Sequence, residues 1–233
     1  MATPLSLPSE ELTRRSSGEQ AALYIRRLIF DGELRPGDRV PQDEVAQALG
    51  ISRIPVREAL IALEREGWVT IAMHRGAFVT SLDEQAVRDH YELYGLVYGF
   101  AVERAVDRSG PDLTRELKGV QLELSTTDDP AQVWRLTLRF HALVIEAAGS
   151  PRLRVVLRAM PGMIPGNFFA LVPGAVESEK RGFAAIVRAV AKGDGPRAAA
   201  DYARTMRTQG GHVVEVLYGR GLLDPPDPVK PRP

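Results

Sequence analysis

The stretch Val45-Ala-Gln-Ala-Leu-Gly-Ile-Ser-Arg-Ile-Pro-Val-Arg-Glu-Ala-Leu-Ile-Ala-Leu-Glu-Arg-Glu-Gly-Trp-Val69 constrains the fold more than any other part of the chain, because it holds two helices and a tight turn in consecutive residues. Val45, Ala46, Ala48 and Leu49 give a helix over 42–49 its apolar side, and Gly50 stops it. Ser52 stands where an N-cap belongs, and Gly67 ends the helix that follows. Pro55 falls in the first turn of that helix, where a missing amide hydrogen sacrifices no intrahelical bond. Upstream, Ala22, Ile25, Leu28 and Ile29 recur at helical spacing over 19–31 before Gly32, and Leu34-Arg-Pro-Gly-Asp38 reads as a turn. Downstream, 68–72 and 77–80 are rich in β-branched and aromatic residues and flank Met73-His-Arg-Gly76, a hairpin with a polar tip. Three helices and a hairpin make a winged helix-turn-helix over 19–80.

In a helix-turn-helix the second helix of the pair enters the major groove, and its first residues meet the base edges. Val56, Ala59, Leu60 and Leu63 give that helix one apolar stripe for packing. Arg53 and Arg57 lie four apart on one flank outside the stripe, near the helix start, so both can reach outward together. Guanidinium suits bidentate bonding to guanine O6 and N7 or to phosphate oxygens. His74 and Arg75 at the hairpin tip are expected against the DNA backbone or in the minor groove, with Gly76 providing the turn.

Charge makes this local placement necessary. Lysine plus arginine equals aspartate plus glutamate at 30 each, so no global basic excess draws the chain to nucleic acid. The absence of cysteine excludes disulfides, thiolate chemistry and cysteine-ligated zinc. No apolar run is long enough to span a bilayer, and residues 1–11 lack the pattern of a secretory signal, so a soluble cytoplasmic protein with no membrane partner is expected.

Residues 1–18 are polar and aperiodic and are expected to form a flexible arm; 224–233, rich in proline, is expected to be a disordered tail. Ser81-Leu-Asp-Glu84 reads as a capping box, and helical patterns then occupy 84–107, 112–125, 131–148, 152–159, 177–192 and 197–218. The fold class is therefore mainly α, with an all-α bundle over 81–223 behind the winged domain. The segment 161–174 has too many prolines and glycines for a regular helix and too many apolar groups for a solvated loop; it is expected to cover a pocket or a partner.

Leu34-Arg-Pro-Gly-Asp38, Ile51-Ser-Arg-Ile-Pro-Val-Arg-Glu-Ala-Leu60, Glu66-Gly-Trp68 and Arg75-Gly-Ala-Phe-Val79 resemble the N-terminal domain of the GntR family of bacterial transcription regulators. The resemblance implies that Ser52, Arg53, Arg57, His74, Arg75 and Gly76 contact duplex DNA. The family often carries a basic residue near the start of the second helix, where this chain has Asp43. The remainder resembles the FadR-type effector domain, the FCD class, whose bundle holds a small metabolite and usually a divalent metal. Arg139-Phe-His-Ala-Leu-Val-Ile-Glu-Ala-Ala-Gly-Ser150 matches the segment around one histidine ligand, His141. The other ligand positions fall on Thr137, Phe183 and near Thr205, so His141 is the one retained candidate and no metal or other cofactor is expected.

The positions of a pocket-facing arginine and glutamate on the first bundle helix hold Tyr94 and Tyr98, which with Phe140, His141 and Phe183 suggest a cavity for a largely apolar or aromatic effector. By the same resemblance the chain is a homodimeric repressor on a near-palindromic operator. Two alternatives stay open: a bundle that only dimerises, and a metal-dependent, carboxylate-responsive regulator. No nucleophile elbow, phosphate loop, dinucleotide fingerprint or His-Glu-x-x-His pattern supplies an activated group for an enzyme.

Overall fold

The computed structural model describes residues 16–158, 160 and 163–223. Most of the expected arm, 1–15, and all of the expected tail, 224–233, lie outside the described residues. The chain divides into two compact units at Leu82/Asp83, and residues 220–223 belong with the first.

In the first unit, α1 (Ser17–Phe30), α2 (Gln42–Leu49) and α3 (Arg53–Arg65) precede the antiparallel hairpin β1 (Val69–Ala72) and β2 (Gly76–Val79). Helix α1 starts two residues before the sequence pattern suggests, because Ser16 and Glu19 form a capping box: the Glu19 amide donates to Ser16 Oγ at 3.2 Å and the Ser16 amide to Glu19 Oε2 at 2.8 Å. Ile25, Ile29, Phe30, Val56, Leu63 and Trp68 are buried together as this unit's core. At the hairpin tip His74 takes a left-handed φ of 61°, so it shares the turn with Gly76, whose φ is 106°. A side chain at Gly76 would also meet Arg39, whose Nε lies 2.8 Å from the position of a Cβ.

Two expectations change at the end of this unit. Ser81 does not cap the next helix; Asp83 does, its carboxylate accepting from the Gln85 amide at 3.1 Å. The reason is that Leu82 remains extended, pairing with Leu223 and donating its amide to the Leu222 carbonyl at 2.9 Å. Residues 220–223, expected at the end of the bundle, therefore pack in the first unit. There the Arg220 guanidinium lies 3.8 Å from the Phe30 ring centroid and donates to the Phe30 carbonyl at 2.7 Å.

The second unit is all-α: α4 (Glu84–Arg108), α5 (Pro111–Ser125), α6 (Pro130–Ala148), α7 (Pro151–Arg158), α8 (Phe168–Leu171), α9 (Ala175–Ala191) and α10 (Gly195–Gly219). The antiparallel pair α4 and α10 forms its centre through a seam of small residues. A Cβ on Gly95 would stand 2.9 Å from Ala203 Cα, and one on Gly99 3.1 Å from the Ala199 carbonyl oxygen. From the other side, a Cβ at Gly210 would stand 2.8 Å from Tyr91 Cβ. In the proline- and glycine-bearing segment, Ile164, Phe169 and Val172 are buried, and Phe169 meets Trp134 of α6 edge-on at 6.2 Å. Its apolar groups cover the bundle. No helix of the described residues is long and apolar enough to cross a membrane.

Candidate nucleic-acid interface and bundle interior

Helix α3 buries Val56, Ala59, Leu60 and Leu63, which turns Ser52, Arg53, Ile54 and Arg57 outward. Ser52 occupies the N-cap position, yet its side chain makes no capping bond, so the hydroxyl is free to meet a phosphate. Arg39, Gln42, Asp43, Glu44, Arg53 and Arg57 line a concavity of about 390 Å³ at this end of α3. Asp43 forms an ion pair with Arg53, and no carboxylate of the described residues pairs with Arg57. The two arginines thus differ: one is already engaged by the residue that replaces the family's basic group, the other is available. His74 and Arg75 are exposed at the hairpin tip, where Arg75 lies over the Phe78 ring at 5.9 Å. Arg39 and Ile54, 68% exposed between the two arginines, are additions to the predicted surface. Arg39 could have been found from its place in the turn that the hairpin packs on; Ile54 carried a signal as a large apolar residue off the buried stripe.

The bundle interior brings together Tyr94, Tyr98 and His141. Tyr98 lies 5.2 Å from Tyr94 and 4.4 Å from His141 between ring centroids, and it stacks nearly parallel on Tyr202 at 5.1 Å. Phe140 and Phe183 stack on each other at 3.8 Å and are both fully buried. The positions where the family would hold a metal are otherwise engaged. Thr205 donates to the Asp201 carbonyl of its own helix at 2.8 Å, and Thr137 donates to Glu179 Oε1 at 3.2 Å. A single imidazole among two bonded threonine hydroxyls and a phenyl ring does not fit a divalent cation.

Glu179 is the group that the sequence reading missed. It lies on the buried face of α9, 2% exposed, and accepts from Thr137 and, through Oε2, from Gln209 Nε2 at 3.0 Å. An acidic residue within the apolar stripe of Ala175, Phe183, Ile186 and Val190 was the available signal. Burial raises its pKa to about 7, partly offset by the Gln209 and Thr137 hydrogen bonds. Burial acts on His141 in the opposite sense and holds its imidazole neutral well below the usual range.

These shifts set a pH dependence. Between the unfolded value near 4.5 and the folded value near 7, the folded chain holds the Glu179 proton that the unfolded chain releases, so rising pH removes stability across that window. His141 works on the acid side, where the unfolded imidazole takes a proton near 6.5 that the folded one refuses, so stability falls as pH drops. Glu179→Gln is expected to gain stability on the parent chain as pH rises through the first window. Urea midpoints of both proteins at its two ends check this; a constant difference would contradict it.

The model of the bacterial regulatory proteins of the gntR family matches residues 17–79, and that of the FCD domain matches residues 89–207. The chain belongs to the GntR family, in its FCD branch. This GntR protein is 34% identical over 151 residues to an uncharacterized HTH-type transcriptional regulator of Mycobacterium tuberculosis, a match covering 65% of the chain and 62% of the relative. It is 26% identical over 155 residues to the gluconate operon transcriptional repressor of Bacillus subtilis, covering 65% of the chain and 63% of that protein. The matches thus span less than two thirds of these relatives' length. Among solved structures, McbR/YncC of E. coli superposes with a TM-score of 0.59 at 20% identity, covering 88% of this chain and 99% of that one. A GntR family member from Pseudomonas syringae superposes with a TM-score of 0.51 at 21% identity, covering 92% and 90%. At such identities the likeness is one of fold, and it agrees with a mainly α regulator made of helix-turn-helix and bundle.

Proposed function

We propose that this GntR protein is a sequence-specific DNA-binding transcriptional regulator, a cytoplasmic repressor whose FadR-type bundle answers a largely apolar or aromatic small molecule. The observation that carries the DNA-binding part is the start of α3, which turns Ser52, Arg53 and Arg57 outward, with no carboxylate of the described residues pairing with Arg57. Ile54 between the arginines supplies an apolar contact for a thymine methyl group. His74, Arg75 and Gly76 at the hairpin tip meet the sugar-phosphate backbone or the minor groove.

The working form is a homodimer on a near-palindromic operator, since a two-fold symmetric protein reads a two-fold symmetric site. Leu93, Leu96 and Phe100 support this: they lie exposed along α4 at spacings of three and four, one apolar stripe on the helix surface. The effector part is supported by Tyr94, Tyr98 and His141, while Phe140 and Phe183 act as the packed wall behind them. An occupant shifts DNA affinity only by its different affinity for two conformations, typically about 1–3 kcal/mol. Selection from random duplexes at moderate salt is the test. Enrichment of one two-fold symmetric sequence is expected; recovery of unselected duplex would overturn the reading.

A further inference from the structure

The bundle interior carries a charge pattern that the apolar character of its rings does not explain. Glu179 is sealed from water and hydrogen-bonded by Thr137 and Gln209, yet among the described residues no lysine or arginine pairs with it. Among the described residues four polar side-chain atoms are buried without a partner: Gln209 Oε1, Tyr202 Oη, His141 Nε2 and His212 Nε2. Gln209 Oε1 belongs to the same amide whose nitrogen donates to Glu179, so an unsatisfied acceptor adjoins the carboxylate. Tyr202 sits seven residues earlier on the same buried face of α10, two helical turns or roughly 10 Å away. The rings of Tyr98, Tyr202 and His141 lie within 6 Å of one another between centroids. Buried polar atoms are nearly always hydrogen-bonded, and a buried carboxylate calls for a counter-charge, so this group of orphans describes what is missing.

We propose that the bundle takes an organic cation, a protonated amine on an aromatic or alkyl body, with Glu179 as its counter-ion and the tyrosine rings as its walls. The inference rests on the reading of the bundle as an effector domain and assigns the chemical class of the effector. An ammonium brings donors for both Glu179 and Gln209 Oε1, and a cation over tyrosine faces gains the attraction of their quadrupoles. Its body, about as long as two helical turns, extends along Tyr98 toward Tyr202. Among the described residues no basic side chain pairs with Glu179 to hold a carboxylate in the same place, and a neutral ligand would gain nothing from the charge that Glu179 can carry. Burial has already raised the Glu179 pKa to about 7, so an arriving cation finds a group that it can draw into the charged form near neutral pH.

Three probes of one shape separate the classes: 2-phenylethylamine, 2-phenylethanol and phenylacetate, each added at equal concentration to the full chain while thermal unfolding is followed. Only the amine is expected to raise the midpoint, and Glu179→Gln is expected to weaken its binding at least tenfold. Tyr202→Phe, which keeps the ring and removes the orphaned hydroxyl, should weaken it less and preserve the preference for the amine. This second variant carries the test should Glu179→Gln fail to fold. Equal or better stabilisation by the alcohol or the acid would overturn the cation and leave an effector domain of another class. No response to any of the three would overturn the cation, while the effector reading falls only if a wide panel of acyl, aromatic and sugar-acid metabolites also leaves the midpoint unmoved.

Discussion

A Phe183→Ala variant is expected to lose about 3–5 kcal/mol of folding stability, the usual cost of cutting a phenyl ring out of a packed core. Phe183 is fully buried, its ring stacks on Phe140 at 3.8 Å, and the His141 ring lies 6.0 Å away. Its neighbours on α9, Ile186 and Val187, are buried too, so little can collapse into the vacated volume. Phe183→Leu, which keeps most of that volume, should cost less than the alanine change. Urea unfolding of the three proteins, read as midpoint and slope, decides the matter. A loss below about 1 kcal/mol for the alanine variant would mean that water or a ligand already reaches the ring, making it a pocket wall and not core.

Arg57→Ala is expected to weaken binding to the selected operator by about 1–3 kcal/mol, roughly five- to 150-fold, with an unchanged unfolding midpoint. The side chain is exposed and no carboxylate of the described residues pairs with it, so truncation removes a DNA contact and little else. Arg53→Ala should cost less, because in the free protein Arg53 must first leave Asp43. Ile54→Ala should instead relax the preference at one base pair per half-site, with weak effect on other duplexes. Titrations on the operator and on a scrambled duplex at two salt concentrations separate these outcomes. Unchanged operator affinity in Arg57→Ala would take that residue off the reading surface.

The winged module was legible because each of its parts rests on local rules. Gly50 ends α2 in a left-handed conformation, Pro55 fits the first turn of α3, and the alternating hairpin residues pair in register from Val69 with Val79 to Ala72 with Gly76. Six helices of the bundle were legible for the same reason, to within two residues at their starts, whereas the short α8 falls in the segment read as irregular. Three features escaped because they depend on contacts between residues far apart in the chain. Leu223 pairs with Leu82 across most of the sequence, which displaces the cap from Ser81 to Asp83. Glu179 falls on the apolar stripe of α9, but its role shows only through Thr137, 42 residues away, and Gln209, 30 away, which bond it. Nothing local marks Gly95, Gly99 and Gly210 as a seam, which appears only with the opposing backbone of Ala203 and Ala199 and the side chain of Tyr91 in place. Local chemistry predicts elements, whereas the interior of a bundle is defined by what faces what.

The glycine seam restricts how this bundle can respond to an occupant. Where two helices meet almost backbone to backbone, there is no layer of long side chains between them that could switch rotamers, so sliding one past the other would drive main-chain atoms together. At one end of the pair, the Tyr218 hydroxyl donates to Glu84 Oε2 at 2.5 Å and fastens the last turn of α10 to the first turn of α4. These are the helices through which the chain enters and leaves the bundle, after Leu82 and before Arg220. A girder of this kind transmits displacement without absorbing it. A displacement imposed on either helix is therefore shared by the other.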